Sequence, residues 1–313
     1  MSAPRAARGR WAIRLGAGLI AALLLVTLAE VWVGAGAKRA SAAGETIEIQ
    51  AAHGSSYVPA LEGKRPLFIL AIGSDARSQD IEHGRSDSIH IIGVNLKTHR
   101  ASVLGFPRDS WVSIPGHGSG KITTAMSLGG PSLLVDTLEN LTGITIDFWL
   151  LTNFGGLRRM VNGIGGLTVD VPIDLDDHFS GAHLSAGSHH INGSQALSFA
   201  RDRHDFATGD FARSENQGTI LVAALAKLRT QFAKNPAVVF EWIVLGWKNV
   251  TTGLSVDTLL DLGLTATQIA ADKVTNQVVP GTTGQVGEAS VVFISSSAQA
   301  IYADMRADGV IGS

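Results

Sequence analysis

Residues 65–111 read RPLFILAIGSDARSQDIEHGRSDSIHIIGVNLKTHRASVLGFPRDSW, and this stretch decides the fold. Three apolar runs, at 66–72, 88–95 and 101–106, predict three β-strands. The first is a continuous apolar run up to Gly73, the pattern of a central strand covered on both faces. The polar residues 96–100 between the second and third suit a hairpin. Charged residues stand wherever a strand ends or begins: Asp75 and Arg77 after the first, Arg85 and Asp87 before the second, Arg108 and Asp109 after the third. Carboxylates and arginines gathered at neighbouring strand ends point to a site for a metal ion and an anion.

Downstream, strands and helices alternate. Gly116 to Gly120 read as a loop, followed by a short helix at 123–128 and a break at Gly129-Gly130-Pro131. Residues 131–142 have helical spacing with proline at the start, where its missing N–H costs little, and Gly143 ends them. A strand at 146–151, a helix at 153–162 and a strand at 167–171 follow. Residues 173–192 read as a polar loop carrying Asp174, Asp176, Asp177, His178, His183, His189 and His190. A helical turn at 193–200 leads into Arg201-Asp202-Arg203-His204-Asp205, and a long helix is expected over 210–233 with Asp210 as its N-cap. Helices at 237–248 and 255–271, a strand at 274–279, a glycine-rich hairpin at 281–287 and a helix at 294–307 complete the chain. This interleaving predicts an α/β fold with a covered sheet.

Upstream, Arg5, Arg8, Arg10 and Arg14 precede a charge-free run from Leu15 to Ala29. Counted through Glu30 to Ala37, the apolar segment reaches the roughly 20 residues a spanning helix needs. Two readings stand: a signal anchor at 15–37 with residues 1–14 as a basic cytoplasmic tail, or a signal peptide cleaved after Ala35-Gly36-Ala37 or Ala40-Ser41-Ala42. Both place the remainder outside the cytoplasmic membrane. Residues 38–64 read as a linker with a short strand at 46–50, and 65–313 as the folded domain. The net charge of −2 argues against nucleic acid as a partner. The absence of cysteine excludes disulfides, thiol catalysis and cysteine-ligated zinc.

Asp75 and Asp87 suit one Mg²⁺, a hard ion that takes few protein oxygens and leaves positions for phosphate and water. Equally, aspartates at strand ends serve as turn or cap residues. Arg201 and Arg203 project to one side of an extended segment. Arg213 and Gln217 share a helix face that continues through Ile220, Leu221, Ala224 and Leu228. That face is polar at its start and apolar beyond, matching a ligand with a phosphate head and a greasy tail. The plainer alternative is an amphipathic helix on a core, its arginines paired with Asp202, Asp205 and Glu215. Residues 116–121 mimic a P-loop, but Pro115 and Ile122 occupy its required glycine and Ser/Thr positions.

Several long segments resemble the LytR-CpsA-Psr family of bacterial cell-envelope phosphotransferases. They are LFILAIGSDAR (67–77), RSDSI (85–89), FPRDSWVSIPG (106–116), KITTA (121–125), the run 129–172, LSAGSHHINGSQALSFARDR (184–203) and GDFARSENQ (209–217). The resemblance implies a mixed central sheet covered by helices on both faces and a membrane-anchored, outward-facing enzyme. It implies transfer of a phosphoglycan from a polyprenyl-pyrophosphate-linked donor to peptidoglycan, with release of polyprenyl phosphate. Asp75 and Asp87 would hold Mg²⁺. Arg77, Arg85, Arg108, Lys121, Arg201, Arg203, Arg213 and Gln217 would face the phosphates, with Asp109 orienting Arg108. Ile220, Leu221, Ala224 and Leu228 would wall the lipid. A polyprenyl-pyrophosphate hydrolase and a non-catalytic membrane-anchored regulator are the competing functions.

Overall fold

A computed structural model describes residues 47–53, 59–76, 81–247, 250–252 and 254–312. The expected membrane segment at 15–37 and Arg77 lie outside the described residues. Among the described residues, no helix is long and apolar enough to cross a membrane.

In chain order the elements are β1 (Ile47–Ala51), β2 (Leu67–Ser74), β3 (Ser86–Asn95), β4 (Arg100–Gly105), β5 (Trp111–Ile114), β6 (Gly118–Lys121), α1 (Thr123–Thr142), β7 (Phe148–Asn153), α2 (Phe154–Gly163), β8 (Leu167–Val171), β9 (Leu175–Asp177), β10 (Ala182–Leu184), β11 (Gly187–Ile191), α3 (Gly193–Arg201), α4 (Asp210–Lys234), α5 (Val238–Trp247), β12 (Val250–Thr252), α6 (Val256–Gln268), β13 (Val274–Val278), β14 (Gly281–Val286), β15 (Ala289–Ile294) and α7 (Ala298–Asp308). Seven strands form one mixed sheet in the order β12-β1-β7-β2-β3-β4-β13. The hairpin expected between the second and third apolar runs is β3–β4.

Period-two alternation divides the central strands between two cores. Phe68, Leu70 and Ile72 of β2, with Ile89 and Ile91 of β3, pack against Met126, Leu134 and Leu138 of α1 and Tyr302 and Met305 of α7. Leu67 of β2 and Val94 of β3 belong to the opposite core, with Ile269 after α6 and with Leu225 of α4 and Leu262 of α6. The two faces differ in closure. Leu70, Ile89 and Ile91 are fully buried against α1 and α7, whereas Ile69 and Ile92, on the α4 side of the same strands, are only partly buried. At the sheet's other end, Arg65 grips the buried carboxylate of Asp147 with two guanidinium nitrogens.

Four expectations need correction. Residues 173–192 are not a loop: β9 and β10 form a hairpin, and β11 pairs with β8. Their outward positions carry Asp176, His183, Ser188 and His190, which hid the alternation with buried Leu175, Ala182 and Ile191. The second half of the Gly116–Gly120 loop is β6, paired to β5. The strand foreseen near 46–50 lies inside the main sheet between β12 and β7, so the folded domain begins before residue 65. Asp210 does not cap α4; Gly209 occupies that position, and Asp210 is drawn instead into ion pairs. The break expected at Gly129-Gly130-Pro131 is present: Gly129 and Gly130 leave helical geometry, so α1 is two helical segments joined at a kink.

Candidate active site

Strand direction collects the charged residues at one sheet edge. β2 and β7 are parallel, β4 and β13 are parallel, and β3 runs antiparallel to both β2 and β4. The C-terminal ends of β7, β2, β4 and β13 therefore share an edge with the start of β3. Ligands of open α/β sheets bind outside the carboxyl ends of the strands.

The register sets the details. Gly73 faces Ser88, but Ser74 faces Ser86, so Asp87 is the extra residue of a bulge. Bulges re-aim a side chain, and this one turns Asp87 toward the end of β4. Pairing of β3 with β4 continues past Gly105, with Phe106 N–H donating to Ile89 O at 2.9 Å. Two residues on, Arg108 Nη1 reaches Asp87 Oδ1 at 2.5 Å. Asp75 is held to the start of β3: its N–H donates to Arg85 O at 3.0 Å and its Oδ1 accepts from Arg85 N–H at 2.9 Å. The start of α1 is tied in as well, Thr123 Oγ1 donating to Ser86 O at 2.9 Å. Lys121 pairs with Asp109 at 3.0 Å.

The second half of the site comes from α3, α4 and the segment between them. Arg213 Nη2 lies 3.0 Å from Asp210 Oδ1, and Arg203 Nη1 lies 3.7 Å from the same atom. Gln217 Nε2 donates to Asp87 O at 3.2 Å and to Ala200 O at 3.1 Å, pinning the bulge to the end of α3. His90 Nε2 is 2.9 Å from Ser214 O and locks α4 onto β3. Burial holds the His90 ring neutral, with its pKa down at about 4 despite the Ser214 contact. Arg201 lies over the Phe154 ring at 5.1 Å. The Arg85 side chain is exposed. The structure thus joins Asp87 with Arg108 and Gln217, joins Arg203 with Arg213 through Asp210, and adds Asp75 through the strand ends. Ile220 and Ala224 pack with β8, β11 and α3, Leu228 packs with Val238 and Val239 at α5, and Leu221 is partly buried.

The electrostatics of this cluster favour an anion. Burial works against the Arg108 charge, but Asp87 and then Asp109 and Asp210 outweigh it and raise its pKa. Arg213 is pushed below the ordinary guanidinium value, first by burial and then by Arg108 and Arg203, against the pull of Asp210 and Asp87. The arginines therefore crowd one another. Arg108 Nε is also buried without a hydrogen-bond partner, an uncommon state for so strong a donor. Phosphate oxygens would satisfy it and relieve the crowding.

The carboxylates fit a hard cation. Only Oδ1 of Asp75 and of Asp87 is engaged among the described residues, which leaves an oxygen on each. No group of three or more Asp, Glu, His or Cys side chains converges among the described residues. An ion held here would need ligand oxygens to complete its shell.

Sequence reading missed His90, Thr123 and Phe154. A histidine inside the apolar run SIHIIGVN was the available signal for the first, because a buried polar group must find a partner. Thr123 and Phe154 gave no local signal; the fold brings them to the edge.

The LytR_cpsA_psr family profile matches residues 33–306. The chain is 33% identical over 201 residues to the polyisoprenyl-teichoic acid–peptidoglycan teichoic acid transferase TagV of Bacillus subtilis, covering 62% of this chain and 51% of that one. It is 34% identical over 198 residues to TagU of Bacillus mycoides, covering 63% of each. The chain therefore spans about half to two-thirds of the length of these curated relatives. Among solved structures, B. subtilis TagV superposes with a TM-score of 0.67 at 28% identity, covering 76% of this chain and 94% of that one. TagT bound to LI-WTA gives 0.65 at 25% identity, covering 82% and 94%.

Proposed function

The chain belongs to the LytR_cpsA_psr family, and from that premise we propose that it is a cell-envelope phosphotransferase. It takes a polyprenyl-pyrophosphate-linked glycopolymer and transfers the phosphoglycan to a peptidoglycan hydroxyl, releasing polyprenyl phosphate. Relatives named teichoic acid transferases support this reading. The observation that carries it is the buried, unpartnered Nε of Arg108 beside Asp87, Arg203 and Arg213. The basic residues 5–14 before an apolar segment support a single-pass anchor at 15–37, with the catalytic domain outside the membrane.

In the mechanism, the acceptor oxygen bonds to the phosphorus that bears the glycan. The bond from that phosphorus to the bridging oxygen breaks, and polyprenyl phosphate departs. Such transfer depends mainly on positioning and on neutralising spread charge. Arg108 and Arg213, fixed by Asp87 and Asp210, present rigid forks to the phosphoryl oxygens. Arg203, Arg201, Arg85 and Lys121 add charge around them. Mg²⁺, held by Asp75 and Asp87, would supply further neutralisation of the diphosphate. The acceptor hydroxyl's proton leaves to solvent, assisted by Asp75 or Asp87. The greasy tail lies on the incompletely closed face beside Ile69, Ile92 and Leu225.

The test uses the full chain in lipid vesicles with Mg²⁺, a polyprenyl-diphosphate glycan and peptidoglycan. Wild type transfers glycan, and Asp87→Asn and Arg108→Ala each lower the rate by about 10²–10³-fold. Transfer that survives both substitutions overturns the site. Lipid phosphate release that ignores the acceptor marks a hydrolase, and no turnover at all marks a scaffold.

A further inference from the structure

Phe179 is 75% exposed, more than any other large apolar side chain among the described residues. Single exposed apolar residues are ordinary, but this one is built into place. It lies in the turn between β9 and β10, and its N–H donates to Asp177 Oδ1 at 2.8 Å. Its ring rests on His204 with centroids 4.7 Å apart and meets His178 edge-on at 6.0 Å. His204 is fixed in turn, its Nδ1 lying 3.0 Å from Asp177 Oδ2. Asp177 is buried, so one sheltered carboxylate sets both halves of an exposed aromatic pair. A second tie joins the same hairpin to the same segment: Asp176 N–H donates to Asp205 Oδ2 at 2.7 Å.

This platform is continuous with the catalytic edge, because His204 follows Arg203, which reaches Asp210. On the same hairpin, Asp176 and His183 pair with each other at 2.6 Å while remaining 88% and 66% exposed. A fixed aromatic face flanked by exposed hydrogen-bonding groups has the chemistry of a sugar site: the ring covers the apolar C–H face, and the polar groups meet hydroxyls. Pre-ordering removes the entropy that a mobile loop would lose on binding.

We propose that Phe179 and His204, with Asp176 and His183, form a subsite for the glycan of the acceptor strand. The inference rests on the transferase reading above. The acceptor is chosen over the donor on energetic grounds. The donor already has a lipid and a diphosphate to bind it, whereas the acceptor presents only sugar to the protein and needs a grip next to the reacting phosphorus.

Full-length protein in vesicles is assayed for transfer against acceptor and donor concentration separately. Binding of a soluble peptidoglycan glycan fragment is measured in parallel without donor. Phe179→Ala raises the acceptor KM and the fragment Kd about tenfold, leaves the donor KM unchanged, and Phe179→Trp restores both. An unchanged acceptor KM and fragment Kd overturn the proposal, as does a rise confined to the donor KM. Failure of wild type to transfer any glycan sinks the transferase reading instead, and fragment binding then still decides the subsite.

Discussion

Asp202 stands between Arg201 and Arg203, yet its own carboxylate is buried and turned away from solvent. Burial first, then the charges of Asp205 and Asp177, push its pKa up to about 6, and a side-chain hydrogen bond with Asp177 adds to the rise. Asp177 is driven the other way. Burial opposes its charge, but hydrogen bonds from His204, the Phe179 N–H and Ser180 hold it down at about 2. Asp202 therefore keeps its proton to a higher pH than Asp177 does. Between its unfolded value of 3.8 and about 6, the folded state binds more of this proton than the unfolded state, so its contribution to stability falls as pH rises. His90 acts oppositely. Its folded value near 4 lies below the unfolded 6.5, so the stability it contributes is present above 6.5 and is lost as pH falls through 4. The two slopes oppose each other between pH 4 and 6. Asp202→Asn removes one, together with the charge that Asp205 and Asp177 oppose. The melting temperature of this variant is expected to climb more steeply from pH 4 to 6 than that of wild type, and to be higher at pH 7. Parallel melting curves across that range would falsify this role of Asp202. Asp75, Asp87 and Arg108 were legible from their places beside apolar runs. Asp202 and His90 were not, because their roles come from burial and from partners 25 to 124 positions away in the chain.

At the scale of elements, the site depends on how closely α4 approaches the sheet. Two glycines permit that approach. A Cβ on Gly105 of β4 would sit 2.4 Å from Ser214 Oγ and 3.0 Å from His90 Nε2, and one on Gly218 of α4 would sit 2.0 Å from Asn276 Oδ1. Asn276 has no easy retreat, since its Nδ2 donates to Glu215 O at 3.0 Å. Gly105→Ala therefore has to lift α4 and carry Arg213 and Gln217 away from Arg108. Overpacking of this kind costs about 1–3 kcal/mol of stability. A displacement near 1 Å lowers turnover by about 10²-fold. Adding Ser214→Ala removes the nearest clash, and the double variant should recover part of both losses. If it recovers stability but no activity, α4 placement is not what Gly105 protects. The long helix was foreseen within one residue of its end, and the strands beside it within two, because apolar periodicity is a local property. The pairing of β1 into the sheet and of β11 with β8 was not foreseen, because pairing depends on distant partners that a single segment does not encode.

Across the whole molecule, the two faces of one sheet are finished differently. The α1–α7 face is sealed by fully buried Leu70, Ile89, Leu104 and Leu138. The α4–α6 face leaves Ile69, Ile92, Leu225, Leu262 and Val274 only partly covered. Central sheet positions are the last place a stable fold leaves apolar surface open, since each uncovered Å² forgoes about 25 cal/mol. On the proposed function, an occupant supplied by the substrate would cover it, and a polyprenyl chain has the required apolar character. The sequence displayed this only in part: Ile220 and Ala224 share the face that follows Arg213, yet they pack with the β8–β11 layer, while Leu225 on the adjoining face meets the sheet. Leu225→Trp places a larger side chain on that partly covered face. If a lipid lies there, the substitution raises the KM for a long-chain polyprenyl donor about tenfold and leaves a donor with a short isoprenoid chain unaffected. If Leu225 is merely a loosely packed core residue, the bulkier ring either fits at no cost or strains the core, and both donors then respond alike. Measuring the two donors side by side, with the melting temperature as a guard against misfolding, separates a tail-binding face from an imperfect core.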